Sequence, residues 1–346
     1  MLARLFLLGV CLVMNTAIAQ TRSFTTEAEL TGLGLNGLQQ YWQAHATESQ
    51  FTGQQNISLP WAALTHPEHE RTLVIVNGRT ESYLKYQELA RDLFENGYNV
   101  YLYDHRGQGL AQRLTADPIM GHITDFNDYV QDLEQFVQQV VRPAGPQPLY
   151  LLAHSMGGTI SAQWLAQTQV RVQAAALSSP MMGIYLGPLP RRLADGLVTV
   201  LGTGCRWLGH EACYAPGQGG YEETPFADNE LTHSEVRYRL FRELYRQRPE
   251  LQLGGVSLQW LAQGLAAGDQ AIADAGRIAA PVLVLQASKD VVVDNSAQSR
   301  FCRALGHCAG GGPLIIEEAS HELFIEQDRQ RQQALNAILD FFERHP

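Results

Sequence analysis

The stretch LYLLAHSMGGTI, Leu149 to Ile160, decides how the rest of the chain is read. Its first half, Leu149 to Ala153, is a short apolar run with the length of a buried strand. Its second half opens a helical pattern. From Met156 to Gln167, Met156, Ile160, Trp164 and Leu165 fall on one stripe. One residue, Ser155, stands where strand gives way to helix. A nucleophilic serine needs an exposed oxygen, a base to take its proton, and donors for the oxyanion that follows. A sharp strand–turn–helix corner meets the first need, and the usual pattern there is G-x-S-x-G. Here Ala153 takes the first glycine position and Gly157 the second. Gly158 and Thr159 extend the small surface, so the helix is expected to pack close to the sheet. Those glycines weaken a helix intrinsically, so local propensity does not explain them.

Working outward, short apolar runs recur at Thr72–Asn77, Asn99–Asp104, Ala174–Ser179, Pro281–Ala287 and Pro313–Ala319. Amphipathic helical patterns lie between several of them, at Tyr86–Asn96 (stopped by Gly97) and Phe126–Val141. Buried strands joined by such helices predict an α/β fold, a parallel sheet covered on both faces. The alternation breaks between Met181 and Arg277, where Gly, Pro and helical stretches at His233–Arg248 and Val256–Ala267 replace strands. This segment, 181–277, reads as an inserted, mainly helical cap between two parts of a core, 20–180 and 278–346. There is no internal repeat.

The strand ends supply partners for the serine. In a fold of this kind the order is serine, acid, histidine. Ser288-Lys289-Asp290 follows Pro281–Ala287, and Ser320-His321 follows Pro313–Ala319. Both lie at the carboxyl edge, where open α/β sheets gather their sites. His321 is the expected base. Asp290 is the expected acid, with Asp294 as its rival four residues on. The oxyanion donors are expected to be the main-chain N–H groups of Met156 and Arg79, the latter in the turn Asn77-Gly78-Arg79-Thr80. His154 and His105 are expected to serve packing and a turn. A carboxylate nucleophile, as dehalogenase or epoxide-hydrolase chemistry requires, is excluded at the elbow by Ser155.

Together these segments resemble a family. GRTESYLKYQELARDLFENGYNVYLYDHRGQG, GHITDFNDYVQDL, AHSMGG, YEETPFADNELTHSEVRY, ASKDVVVDN and ASHELFIEQD are similar to the bacterial lysophospholipase L2 type, grouped with monoacylglycerol lipases among the serine α/β-hydrolases. The resemblance runs from about Gln39 onward. It implies the α/β-hydrolase fold, Ser155, Asp290 and His321 as a triad, and Arg79 and Met156 at the oxyanion hole. It also implies hydrolysis of the single acyl ester of a lysophospholipid or monoacylglycerol with no metal or organic cofactor. General members carry His-Gly before the oxyanion donor, where this chain has Asn77-Gly78. Two rival readings are an esterase or thioesterase for soluble esters and a non-catalytic binding protein on the same scaffold.

At the start of the segment 181–277, Met181, Met182, Ile184, Tyr185 and Leu186 suit an acyl chain. His233–Arg248 carries Arg237, Arg239, Arg242, Arg246 and Arg248. Some could meet a phosphate, but the interleaved Glu235 and Glu243 make a solvated face the expectation. The chain has 346 residues, 45% hydrophobic, with 25 Lys+Arg against 35 Asp+Glu for a net charge of -10. Such a balance argues against nucleic acid as a partner and against docking on anionic membrane by charge alone; transient membrane-surface contact by the lipid substrate's enzyme is expected. No P-loop, C-x-x-C pair or H-E-x-x-H helix is present, and HPEHE (His66–Glu70) has the wrong spacing for a zinc helix. MLAR, the apolar run Leu5–Met14 and Ala17-Ile18-Ala19 predict a signal peptide over residues 1–19, hence an exported chain, periplasmic or secreted. Four cysteines then remain. Close spacing favours Cys205–Cys213 and Cys302–Cys308 among the three possible pairings.

Overall fold

The structure, a computed structural model, describes residues 22–187 and 190–346. The predicted signal peptide, with Cys11, lies outside the described residues. In chain order the elements are α1 (Glu27–His45), β1 (Ala46–Thr52), β2 (Ser58–Leu64), β3 (Arg71–Val76), α2 (Gln87–Glu95), β4 (Tyr98–Tyr103), α3 (Asn127–Phe136), β5 (Leu149–His154), α4 (Met156–Leu165) and β6 (Ala174–Ser178). There follow α5 (Arg191–Trp207), α6 (Glu235–Gln247), α7 (Leu258–Asp274), β7 (Val282–Ala287), α8 (Asn295–Ala304), β8 (Leu314–Ile316) and α9 (Asp328–Glu343).

The eight strands form one sheet in the order β1-β2-β4-β3-β5-β6-β7-β8. From β4 to β8 every pairing is parallel; β2 runs against its neighbours β1 and β4. Alternation along the strands divides the core between the two faces. Val74, Val76, Tyr101, Tyr103, Leu151 and Ala153 point to one side, with α3 and α4 residues such as Leu133 and Ile160. Leu73, Ile75, Val100, Leu102, Tyr150 and Leu152 point to the other, with α2 and α9 residues such as Leu89 and Leu339. The run Asn99–Val100 to Tyr103 is buried throughout, as a strand covered on both faces must be. Fully burying one such Val, Leu or Ile contributes about 1.5–3 kcal/mol relative to leaving it in water.

Among the described residues, the segment between β6 and β7 adds no strand to the sheet. Its last helix, α7, packs on α4 and α8 and acts as the crossover that parallel neighbours require. Gly268 lets α7 lie close on the chain that leaves β6: a Cβ there would stand 2.7 Å from the Met182 carbonyl oxygen. Helix α5 lies further out. Ala194, Val198 and Cys205 are its buried side, but Leu193, Leu197, Val200 and Leu201 are exposed, and Trp207 and Leu208 are 89% and 77% exposed. The spacing 193, 197, 200, 201, 208 keeps these on one helical face. Disulfides join Cys205 to Cys213 and Cys302 to Cys308, with Cα–Cα separations of 6.2 and 5.5 Å, the expected pairs. The first of them closes the loop that carries Trp207 and Leu208. Among the described residues no helix is long and apolar enough to cross a membrane.

Candidate active site

Ser155 sits between β5 and α4 with φ 52° and ψ −119°, outside the regions a serine ordinarily adopts. Such a conformation costs on the order of 1–3 kcal/mol and persists only where its surroundings hold it. Here Ser155 N–H donates to Ser178 O (3.1 Å), and Ser155 O accepts from Gly158 N–H and Met181 N–H, both at 2.9 Å. The glycines that helix propensity could not explain have a reason. A Cβ on Gly157 would stand 2.2 Å from Val76 O and 2.5 Å from Asn77 O, and one on Gly158 would stand 2.5 Å from Pro180 Cβ. The helix start is pressed against the end of β3.

The other residues read from the sequence gather at this edge. His321 Nε2 lies 2.9 Å from Ser155 Oγ, and His321 Nδ1 lies 2.7 Å from Asp290 Oδ2. The second Asp290 oxygen accepts the N–H groups of Val292 (2.8 Å) and Val293 (3.1 Å), which fix its orientation. Burial pushes the His321 imidazolium toward losing its proton, but the charge and hydrogen bond of Asp290 outweigh that and raise its pKa. Burial acts on the Asp290 carboxyl in the opposite sense to His321, and the net result is a lowered pKa. Asp294, the rival acid, is used elsewhere: it caps α8, accepting Ser296 N–H at 2.8 Å.

The turn after β3 faces the same point. His105 Nε2–H donates to Asn77 O at 3.0 Å, and burial pushes that imidazole down to about 4, so it stays neutral. Gln108 Nε2 donates to Gly78 O at 2.7 Å, and Gly78 N–H donates to the Glu81 carboxylate. Thr80, a β-branched residue, is held at φ 61°, with its carbonyl accepting Tyr245 O–H from α6 at 2.9 Å. The N–H groups of Arg79 and Met156 have no acceptor among the described residues, and Met156 is the first residue of α4, where no intrahelical acceptor exists.

Sequence reasoning missed the buried charges behind this turn. Lys85 Nζ bridges Glu81 and Glu322, the latter at 2.7 Å. Burial pushes the Glu322 carboxyl up, and Lys85 more than reverses it. His154 packs on His321 with ring centroids 4.8 Å apart and its Nε2 3.5 Å from Glu322; burial keeps it neutral. Glu81, His154 and Glu322 are close enough together to hold a cation, and the chain's own Lys85 ammonium occupies that role. The available signal was the i,i+4 pair Glu81–Lys85 and a carboxylate directly after the expected base.

A cavity of about 530 Å³ opens over Ser155 and His321, walled by Met181, Ile184, Leu186, Val256, Trp260 and Leu261 among others. Met182 is buried in the core instead. The five arginines of His233–Arg248 do not behave alike. Arg239 pairs with Glu235, Arg246 with Glu223 and Arg248 with Glu250, all at the surface as expected. Arg237 departs from that expectation. It is buried and held by Glu88 and Asp328, tying the segment to the core. Arg242 departs too. It has no carboxylate partner among the described residues and lines a second cavity beside the first.

Comparisons with known proteins bear on the fold and the family. Lysophospholipase L2 of Escherichia coli (strain K12) is 42% identical over 325 residues, 93% of this chain and 94% of its own. The probable lysophospholipase L2 of Haemophilus influenzae is 34% identical over 84% of this chain and 90% of its own. Two solved structures share the fold. A soluble variant of monoglyceride lipase from Saccharomyces cerevisiae matches with TM-score 0.65 and 17% identity over 87% of this chain and 96% of its own. A thermostable carboxyl esterase from Bacillus coagulans matches with TM-score 0.68 and 16% identity over 87% and 99%. The sequence family described as "Serine aminopeptidase, S33" matches residues 67–328, and the chain belongs to it.

Proposed function

We propose that this protein hydrolyses the acyl ester of a single-chain lipid, a lysophospholipid or a monoacylglycerol, through Ser155, His321 and Asp290. One observation carries the reading: His321 bridges Ser155 Oγ and Asp290 at 2.9 and 2.7 Å on the floor of an apolar cavity. Ser155 Oγ attacks the ester carbonyl carbon as its proton passes to His321 Nε2, and Asp290 stabilises the imidazolium. The N–H groups of Arg79 and Met156 receive the oxyanion. As the tetrahedral intermediate collapses, the bond to the glycerol oxygen breaks and His321 returns the proton to that oxygen. Water, deprotonated by His321, then attacks the acyl-enzyme; the bond to Ser155 Oγ breaks as His321 returns the proton to that oxygen, and fatty acid leaves. The similarity to lysophospholipase L2 proteins supports the substrate class.

The exposed apolar face of α5 supports contact with a lipid surface during substrate uptake. Tyr185, 55% exposed, adds an apolar side chain at the cavity itself. The predicted leader and two disulfides support export, since disulfides persist in oxidising compartments. The test is fatty-acid release from a lysophospholipid and a monoacylglycerol of equal chain length, with Ser155→Ala beside the wild type. Release from either, lost in the variant, is the expected result. Absence of release together with failure of a fluorophosphonate to label Ser155 would sink the enzyme reading. Activity confined to short soluble esters would turn it to an esterase.

A further inference from the structure

Beside the Ser155 cavity lies a second compartment of about 400 Å³. The two share Arg79, Thr80, Gln218, Leu231 and Glu322 as a common wall. Two arginines reach this compartment, and neither has a carboxylate partner among the described residues, whereas each of the other arginines of His233–Arg248 has one. Arg79 Nη1 donates to Gly254 O at 3.0 Å, and its guanidinium lies 5.4 Å from the Trp260 ring. Burial pushes that guanidinium down to about 10. Arg242 stacks between aromatic rings, 5.0 Å from Tyr238 and 4.9 Å from Phe241, and its Nη2 donates to Tyr238 Oη at 2.9 Å. Its Nη1 is 3.3 Å from Tyr221 Oη, and its Nε is buried with no acceptor.

Arg79 and Arg242 are both half-buried, and a guanidinium drawn partly out of water without a paired carboxylate is costly to keep. Two of them on one cavity are explained by an anion that arrives with the substrate. Guanidinium forks match phosphate oxygens, and aromatic stacking fixes the fork in place. The neighbouring charges leave room for such an anion. Glu81 and Glu322 are both engaged by Lys85, and Glu222 is exposed on the rim. The backbone approaches closely on this wall because Gly254 and Gly255 pack on Gly219 and Gln218, where a Cβ on Gly254 would stand 2.6 Å from Gly219 O.

We infer that Arg79 and Arg242 form a phosphate subsite, which takes the phosphodiester of a substrate whose acyl ester lies at Ser155. The inference rests on the ester-hydrolase reading above and deepens it: it selects lysophospholipid over monoacylglycerol. Arg79 suits the geometry, since its main chain faces the reacting carbonyl while its side chain reaches the second compartment. A glycerol backbone separates the two groups of the substrate in the same way.

The test compares kcat/KM for a lysophosphatidylcholine and a monoacylglycerol of the same short acyl chain, both below their aggregation concentrations. In Arg242→Gln the ratio of the two is expected to fall about tenfold or more, chiefly through KM, as loss of a charge-assisted contact implies. Arg242→Lys is expected to restore part of it. Arg239→Gln, a surface residue of the same helix, is expected to leave the ratio at the wild-type value. A ratio in Arg242→Gln within about twofold of wild type, with both substrates turned over, overturns the subsite and leaves the hydrolase reading standing. Calorimetry on the unsubstituted protein decides the matter independently of turnover and of how the variants fold. Glycerophosphocholine binding more tightly than glycerol supports the subsite. Equal or absent binding of the two overturns it. Inorganic phosphate binding more tightly than glycerophosphocholine overturns the headgroup assignment in favour of a free-phosphate site.

Discussion

Replacing Gly157 by alanine adds one methyl group two residues after the proposed nucleophile. In an open helix interior the same change is favourable by about 0.5–1 kcal/mol. At Gly157 the new Cβ would lie 2.2 Å from Val76 O and 2.5 Å from Asn77 O. Both obstacles are main chain, so neither can rotate away. A Cβ and a carbonyl oxygen need roughly 1 Å more than that, and overpacking of this kind costs about 1–3 kcal/mol. Subtracting the helix gain leaves a net loss of about 0–2.5 kcal/mol, modest for a protein this large. Activity is the more sensitive readout. The displaced segments carry Ser155 and Met156 on one side and, two residues past Asn77, Arg79 on the other. A misplacement of about 1 Å between reacting groups can cost 100-fold in rate. Gly157→Ala is therefore expected to fold, to melt slightly earlier, and to lose about 100-fold in kcat on a soluble ester. Gly196→Ala on α5, where nothing lies within 4 Å of the added Cβ, is expected to gain stability. A Gly157→Ala enzyme with wild-type kcat would refute the claim that this contact sets the oxyanion geometry.

Asp290→Asn removes the charge that, against the effect of burial, holds the His321 pKa above its ordinary 6.5. The wild-type rate should fall as pH drops through that raised value; in the variant the inflection should shift to lower pH, and kcat should fall by about 10⁴. For stability the sign is opposite: the charged pair contributes fully below the unfolded imidazole's pKa and is lost as pH rises through the folded one. Asp294→Ala should instead cost only about 0.5–2 kcal/mol of stability, as a lost helix cap does, with the pH profile of kcat/KM unmoved. Lys85→Met leaves Glu81 and Glu322 buried without their cation; a loss of about 3–5 kcal/mol is expected by denaturant unfolding, partly recovered at low pH where the carboxyls protonate. Trp207→Ser with Leu208→Ser should lower the fraction of protein that sediments with phospholipid vesicles, and unchanged sedimentation would remove α5 as the lipid-facing surface.

Much of this architecture could be read from the chain because parallel strands are buried on both faces and announce themselves as apolar runs. Strands β3 to β8 lie where those runs are. Strands β1 and β2 gave no such signal. Four consecutive residues of β1, Thr47 to Gln50, are exposed, as an edge strand allows, and Pro60 interrupts β2. Helix α1 was hidden by Gly32, Gly34 and Gly37, and Gly34 does break it, with φ 59°. At the site, Ser155, Asp290 and His321 were legible because each lies on the turn or loop that follows the carboxyl end of a strand. The choice of Asp290 over Asp294 rested on distance from the strand end, and the helix cap made by Asp294 gives it a physical reason. Of the network around Lys85 only the spacing of Glu81 and Lys85 and the position of Glu322 after His321 left a trace, and the separate behaviour of Arg237 and Arg242 was not legible. Spacing along α6 assigns neighbours within the helix, but not the carboxylates that arrive from elsewhere in the fold.

The segment between β6 and β7 reaches into the reacting centre by two main-chain-directed bonds. Tyr245 O–H holds Thr80 O, and Leu231 O accepts Glu322 N–H, the residue after His321, at 2.9 Å. This bears on modularity. An insertion of this kind invites exchange between homologues as a route to new substrate preference. In this protein such a graft would arrive without the hydroxyl that pins the strained turn and without the carbonyl that steadies the histidine loop. A chimera retaining only the pocket-lining residues of a donor would change catalytic rate along with selectivity, so Leu231 and Tyr245 define the least that must travel with, or be rebuilt beside, any transplanted lid.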